Sequence, residues 1–243
     1  MHLESLWRMG QIYLVRHGQA SFGSANYDQL SLLGYEQARM LGEWFVRGNQ
    51  IFKVAVTGSM VRHRQTAEAC FGVLPEQIRL NVNWKTDVGF NEYDHHEVLT
   101  RYRPSFADPP EVIRFLAEHE NGNRAFQQVF QEAMSRWMNG EHDGEYNETW
   151  PAFQARCVKA LHNLVDTTDS SQNVIVFTSG GTIAALCQHV LALPDKKMAD
   201  LNWSLVNCAI TKLFHHENHF VLSYLNNFSH LELLGEKNMI TYR

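Results

Sequence analysis

Residues 11–18 read Gln11-Ile12-Tyr13-Leu14-Val15-Arg16-His17-Gly18, and this stretch decides the fold. Its first five residues, Gln11 followed by the apolar Ile12-Tyr13-Leu14-Val15, read as a short buried strand. The strand then opens directly onto a cation, an imidazole and a glycine. In an open α/β sheet, ligands gather at the carboxyl ends of the strands. A chemistry-bearing turn at a strand end therefore predicts both a sheet and a site.

Working outward, Ser31 is placed to N-cap a helix over 32–47 whose apolar side carries Leu33, Leu41, Trp44 and Phe45. Phe52 to Thr57 reads as the next strand, followed by a helix over 60–71 containing Arg62, His63, Arg64 and Gln65. A further strand is expected at Arg79–Val82, and a polar loop from Lys85 to Val98. Asn173 to Phe177 is a strongly apolar strand running into Thr178-Ser179-Gly180-Gly181 and a helix that ends near Leu193 and Pro194. Two β-rich stretches, Leu205–Phe214 and Phe220–Leu225, close the chain. Strands alternating with helices predict a three-layer αβα sandwich around an open, mainly parallel sheet.

Between 101 and 147 the pattern changes. Pro104, Pro109 and Pro110 break the chain, and helical stretches follow at about 111–119 and 124–138. We read 1–243 as a single domain with an inserted helical lobe at about 101–147. A longer helix resumes at Trp150 and runs to Val165.

The composition narrows the function classes. With 44% hydrophobic and 19% charged residues, the chain has the make-up of a globular protein. Its net charge of −5 is spread without a basic stripe, which argues against a nucleic-acid partner. No apolar run approaches the ~18 residues that span a bilayer, and Met1–Gly10 lacks the apolar core of a signal peptide. Met9 is a candidate natural start, since a strand begins almost at once after it. Cys70, Cys157, Cys187 and Cys208 lie far apart with no CxxC pair, which fits a reduced, cytoplasmic protein. An exposed sheet edge would offer a route to a homodimer.

Arg16-His17-Gly18, Gly58 to Arg62 and Ser179-Gly180-Gly181 all fall at strand ends, and Glu92 lies in a nearby loop. Together they supply what phosphoryl transfer needs. Two guanidinium groups hold phosphate oxygens with forked, charge-assisted hydrogen bonds. The amides opening the helix after Gly181 add donors and a favourable dipole. A neutral imidazole attacks phosphorus, and a protonated carboxyl group supplies the leaving alkoxide with its proton.

The segment Ile12-Tyr13-Leu14-Val15-Arg16-His17-Gly18-Gln19 resembles the signature of the histidine phosphatase superfamily, also called the phosphoglycerate mutase-like family. So do 27–38, from Tyr27-Asp28-Gln29-Leu30-Ser31 to Ala38, and 58–68, with Arg62. Glu148-Thr149-Trp150, Phe153 and Arg156 are similar to the family's approach to the last core strand. The resemblance implies His17 as phosphorylated nucleophile, Arg16 and Arg62 as phosphate clamps and Glu92 as the acid, with Gly18, Ser179 and Gly180 binding substrate. It implies no metal and no organic cofactor, and a small phosphorylated substrate as partner. Asp94 and Glu97 are neighbouring candidates for the acid.

The departure is Ser179, where family members carry a histidine that donates to the phosphoryl group. By analogy, losing one donor to a developing oxyanion costs ~2.7–4 kcal/mol, about 10²–10³ in rate. His95 and His96 are candidates to replace it. The leading expectation is phosphomonoester hydrolysis through a phosphohistidine. Alternatives are a weakened member that binds a phosphorylated ligand or protein without turnover, and a mutase whose second anion site would draw on Lys85, Arg101 and Arg103. Two rivals are weaker. Ser179 as a serine-hydrolase nucleophile, with Asp195 and His230, lacks the GxSxG pattern because Phe177 stands where the first glycine should. His215-His216-Glu217-Asn218-His219 reads as a polar hairpin turn before it reads as a metal site.

Overall fold

The computed structural model describes residues 9–21, 28–169, 172–216, 219–233 and 235–242. The chain forms two compact units: Met1–Asn91 together with Arg156–Arg243, and Glu92–Ala155.

The first unit is built on a six-stranded sheet in the order β3-β2-β4-β1-β5-β6. These strands are β1 Gly10–Arg16, β2 Val54–Thr57, β3 Asn83–Thr86, β4 Asn173–Thr178, β5 Ile210–His216 and β6 His219–Asn227. β1, β2, β3 and β4 are mutually parallel, while β5 and β6 are antiparallel. Central position explains why β1 and β4 are apolar through their middles, at 12–15 and 174–177. Each has neighbours on both sides and helices on both faces, so Ile12, Leu14, Val15, Ile175, Val176 and Phe177 are completely buried.

One face is covered by α1 (Leu32–Arg47) and α2 (Val61–Gly72), whose Leu41, Phe45, Ala67 and Phe71 pack with Tyr13, Ala55, Ile175 and Phe177. Ser31 caps α1 as expected, its hydroxyl accepting from the Gly34 N–H at 3.0 Å. On the other face, α8 (Gly180–Leu191) contacts β1 and β6, and His162 of α7 (Trp150–Asp166) meets α8 at His189 and β6 at Phe220. The three-layer αβα arrangement holds, and no described helix is long and apolar enough to cross a membrane.

Several boundaries differ from expectation. The third strand is Asn83–Thr86, not Arg79–Val82, which instead borders a short α3 (Glu76–Arg79). β3 is an edge strand with Trp84 45% exposed, so it carries no buried alternation to mark it. The loop expected over 85–98 contains the end of β3, a 3-10 turn at Val88–Phe90 and the start of α4 (His95–Tyr102). A further helix, α9 (Asp195–Ser204), follows Pro194; only Met198 is buried on it, leaving no apolar stripe to read. Residues 205–209 precede β5 because their backbone is committed elsewhere. Cys208, at φ +59°, donates its N–H to the Arg16 carbonyl at 3.0 Å. β5 and β6 pair His216 with His219, and His215 is buried; residues 217 and 218 of that histidine-rich stretch lie outside the described residues. So do Tyr27 of the second motif and residues 1–8.

The second unit contains the whole 101–147 stretch. Helices α4, α5 (Pro109–Glu118) and α6 (Gly122–Met138) pack together, α6 against both of the others. Its core is aromatic: Trp137 meets Tyr93, Trp150 and Phe153, and its indole N–H donates to the Glu148 carbonyl at 2.9 Å.

Near the C-terminus, α10 (Ser229–Glu232) packs on α1 and buries His230, neither of whose ring nitrogens has a described partner. Burial pushes its pKa down from 6.5 to about 4. The unfolded chain therefore takes up a proton below pH 6.5 that the folded chain refuses until about pH 4. Stability contributed by neutral His230 is present above pH 6.5 and is lost as pH falls through that window, by about 2 kcal/mol at pH 5. His230→Leu is expected to flatten the fall in urea-unfolding free energy between pH 7 and pH 5 by that amount. An unchanged slope in the variant would contradict it.

Candidate active site

Strand register brings the sequence-predicted residues of the first unit together. Arg16 pairs with Thr178, and Thr57 with Phe177, so β1, β2 and β4 end side by side. The first amide beyond each end still holds the sheet: His17 N–H donates to Thr178 at 2.9 Å and Gly58 N–H to Phe177 at 3.1 Å. His17, Gly58 and Ser179 thus leave the sheet from one edge, at the carboxyl ends of parallel strands.

His17 is held from several directions. Its carbonyl accepts from Asn207 Nδ2 at 3.0 Å, and the next amide, Gly18 N–H, donates to Thr66 Oγ1 at 3.0 Å. Gly18 is required here, because a Cβ would stand 2.4 Å from the Gly34 carbonyl oxygen at the start of α1. Only 6% of His17 is exposed. Its Nδ1 lies 2.7 Å from the Gly18 carbonyl. A carbonyl only accepts, so Nδ1 carries the proton and the lone pair sits on Nε2. Burial, then the positive charges of Arg62 and Arg16, hold its pKa well below 6.5, which keeps the ring neutral. A neutral imidazole with its outer nitrogen unprotonated is a nucleophile in its reactive form.

Arg62 sits in the first turn of α2 and is almost completely buried. Its Nη1 donates to Asp28 Oδ1 at 2.8 Å, and Asp28 Oδ2 accepts from Val61 N–H at 2.9 Å. One carboxylate therefore aims the guanidinium and closes the N-terminus of α2, whose own cap position, Met60, has no side chain to do so. Arg64 projects to solvent beside Glu68, as expected for the outer face. Arg16 donates from Nη1 to the Leu205 carbonyl and from Nη2 to the Tyr242 carbonyl at 2.9 Å. This fixes its guanidinium near Gly180, within 3.5 Å of where a Cβ there would stand.

Ser179 precedes α8 yet does not cap it; its hydroxyl is turned elsewhere. The imidazole it meets is neither His95 nor His96. His63 Nε2 lies 2.6 Å from Ser179 Oγ, both residues are completely buried, and the His63 ring centroid is 5.8 Å from that of His17. Asp195 and His230 play no part at Ser179: Asp195 accepts from Gln188 at 2.7 Å, and His230 is buried in α10.

The chain reaches Glu92 from a fixed point. Arg156 donates to the Gly89 and Asn91 carbonyls at 3.1 and 3.0 Å, and Thr182 Oγ1 to the Asn91 carbonyl at 2.9 Å. The Asn91 side chain in turn accepts from Ser59 N–H and donates to Ser59 Oγ. Glu92 itself is the first residue of the second unit. Its two competitors there have structural work. Asp94 caps α4 by accepting from Glu97 N–H at 2.9 Å, while Glu97 accepts from Asn147 N–H at 3.1 Å and pairs with Arg101.

Asp28, His63 and Asn91 carried no functional assignment in the sequence. Asp28 and His63 both lie inside quoted motifs, and a carboxylate three residues before the capping Ser31 is the available signal for the first.

The sequence matches the histidine phosphatase superfamily (branch 1) profile over residues 12–120 and 115–228. No curated protein matches the sequence. Among solved structures, a mutant phosphoserine phosphatase from Entamoeba histolytica in complex with phosphoserine superposes with a TM-score of 0.63 at 16% identity, covering 92% of this chain and 100% of that one. Phosphoglycerate mutase from Bacillus anthracis gives 0.62 at 15% identity, with 91% and 95% covered. A mycobacterial glucosyl-3-phosphoglycerate phosphatase bound to VO3 gives 0.59 at 20%, with 89% and 98% covered. The structures share the fold, and the profile spans the strand-end motifs from β1 to β6: the chain belongs to the histidine phosphatase superfamily, branch 1.

Proposed function

We propose that this protein hydrolyses a small phosphomonoester through a phosphohistidine at His17. The observation carrying the reading is the state of His17, neutral and with Nδ1–H tied to the Gly18 carbonyl, between Arg62 and Arg16. In the first step His17 Nε2 forms a bond to phosphorus as the ester P–O bond breaks. Arg62 and Arg16 neutralise the equatorial oxygens, and Glu92 gives its proton to the departing alkoxide. In the second, Glu92 takes a proton from water as its oxygen attacks phosphorus. The N–P bond breaks, releasing inorganic phosphate and restoring neutral His17. The chemistry calls on no metal or organic cofactor, since the guanidinium groups supply the charge neutralisation. The phosphoserine bound to the Entamoeba relative supports a small phosphorylated metabolite as the substrate class.

The mutase alternative would need a second anion site drawn from Lys85, Arg101 and Arg103. Arg103 lies over the rings of Phe106 and Phe115, 4.5 and 4.4 Å from their centroids, and Arg101 is paired with Glu97. A binding role without turnover draws its support from Ser179 and from the acid loop around Glu92.

The test is rapid-quench labelling with ³²P-phosphomonoesters that have good leaving groups. Acid-labile label on His17 is expected, accumulating further in Glu92→Gln because hydrolysis of the intermediate then lacks its base. Ligand binding with neither label nor phosphate release would leave the binding role in its place.

A further inference from the structure

Ser179 stands where the family resemblance leads one to expect a histidine, and the structure brings an imidazole to it from another element. His63 enters from α2, one residue after Arg62 and 116 positions from Ser179 in sequence, and its Nε2 stands 2.6 Å from Ser179 Oγ. Room for the ring exists because residue 58 is glycine. A Cβ on Gly58 would lie 2.3 Å from His63 Nδ1. The hydroxyl is available because Ser179 leaves the capping of α8 undone, contrary to the usual habit of serine at that position. A buried imidazole placed solely for packing is expected to satisfy its ring nitrogens. His63 satisfies only the one directed at Ser179, and Nδ1 has no partner among the described residues.

We propose that His63 supplies the missing imidazole of the phosphoryl pocket, acting through Ser179: His63 Nε2–H donates to Ser179 Oγ, and Ser179 Oγ–H donates to a phosphoryl oxygen held beside His17. This rests on the phosphohistidine reading above. The direction of the relay follows from which atom is left over. If Nε2 carries the proton, the orphan at Nδ1 is a lone pair; if Nε2 accepts, the orphan is a buried N–H, a costlier arrangement. Burial and Arg62 hold the ring neutral, so it has one proton to place. A hydroxyl that already accepts a hydrogen bond is polarised and donates more strongly. Ser179 is thus the group that touches substrate and His63 is a positioning residue behind it. The departure at 179 and the histidine at 63 become one exchange, in which serine and a second-element imidazole replace a single histidine.

The test is a double-mutant cycle read by single-turnover phosphorylation of His17. His63→Ala and Ser179→Ala are each expected to slow phosphorylation by about 10–100-fold with KM changed less than about 3-fold, and the double variant to be no slower than the slower single one. The swap His63→Ala with Ser179→His is expected to recover at least about 10-fold over His63→Ala, a rescue that a packing role would not give. Multiplying losses, or a His63→Ala variant within 2-fold of wild type, overturn the relay. Acid-stable label on Ser179 also overturns it, since His63 would then be the base of a serine nucleophile. If the variants fail to fold, ¹⁵N-histidine spectra of the wild type decide: an Nε2–H tautomer of His63 perturbed by orthovanadate supports the relay, and an Nδ1–H tautomer ends it. If wild type neither labels nor turns over, the phosphatase reading fails by itself. Orthovanadate affinity then tests the pocket: at least about 10-fold weaker binding to His63→Ala supports the relay, and equal affinity overturns it.

Discussion

His17→Asn is expected to lower phosphate release by about 10⁵-fold or more, the scale on which losing a covalent nucleophile registers in other hydrolases. The loss should fall on kcat. Asparagine can keep the hydrogen bond to the Gly18 carbonyl through Nδ2, and the Asn207 and Thr66 contacts belong to the backbone of the turn. The fold is therefore expected to survive, with melting close to wild type. Arg62 and Arg16 remain, so orthovanadate and product phosphate should bind within about 10-fold of the wild-type affinity, since these charge-assisted contacts are untouched. Turnover within about 100-fold of wild type would show that the arginines and the Ser179–His63 pair activate water directly, because covalent catalysis would then not be the main route.

The contrast between what the sequence made legible and what it hid follows from range. β1 and β4 are central, fully buried strands, so continuous apolar runs marked them, and the residues at their ends pointed at His17, Arg16, Ser179 and Gly180 without further help. β3 is an exposed edge strand, and it was misplaced because nothing in Asn83-Trp84-Lys85-Thr86 alternates against a core. α4 was taken for a loop since His95-His96 opens it, although its apolar contacts are real at Val98 and Leu99. His63 was invisible for a different reason. Its meaning lies in a contact with Ser179 across 116 residues, and no local pattern distinguishes a histidine that faces a partner from one that packs on a sheet. Asp28 is similar: it serves Val61 and Arg62, 33 and 34 positions away. Groups that act by themselves at strand ends can be read from sequence. Groups that act by holding another residue become legible only once the chain is folded.

Arg62→Ala carries the second largest expected loss, about 10³-fold or more in kcat/KM, by comparison with arginines that clamp transferring phosphoryl groups. The guanidinium is buried and aimed by Asp28, so its charge acts in a site where water screens it little. Arg62→Lys is expected to recover less than about 10-fold of that loss, because an ammonium restores charge without the planar fork that binds two oxygens. A second consequence separates loss of the clamp from general damage. Arg62 is the first-ranked of the charges that depress His17. Removing it makes the protonated ring easier to form, so the His17 pKa rises toward 6.5. The pH below which single-turnover phosphorylation falls should move upward in Arg62→Ala, and stay near its wild-type position in Arg62→Lys, where a positive charge remains. Were the acid limb to stay put in Arg62→Ala, burial and Arg16 would be keeping His17 neutral, and Arg62 would serve only to grip phosphate.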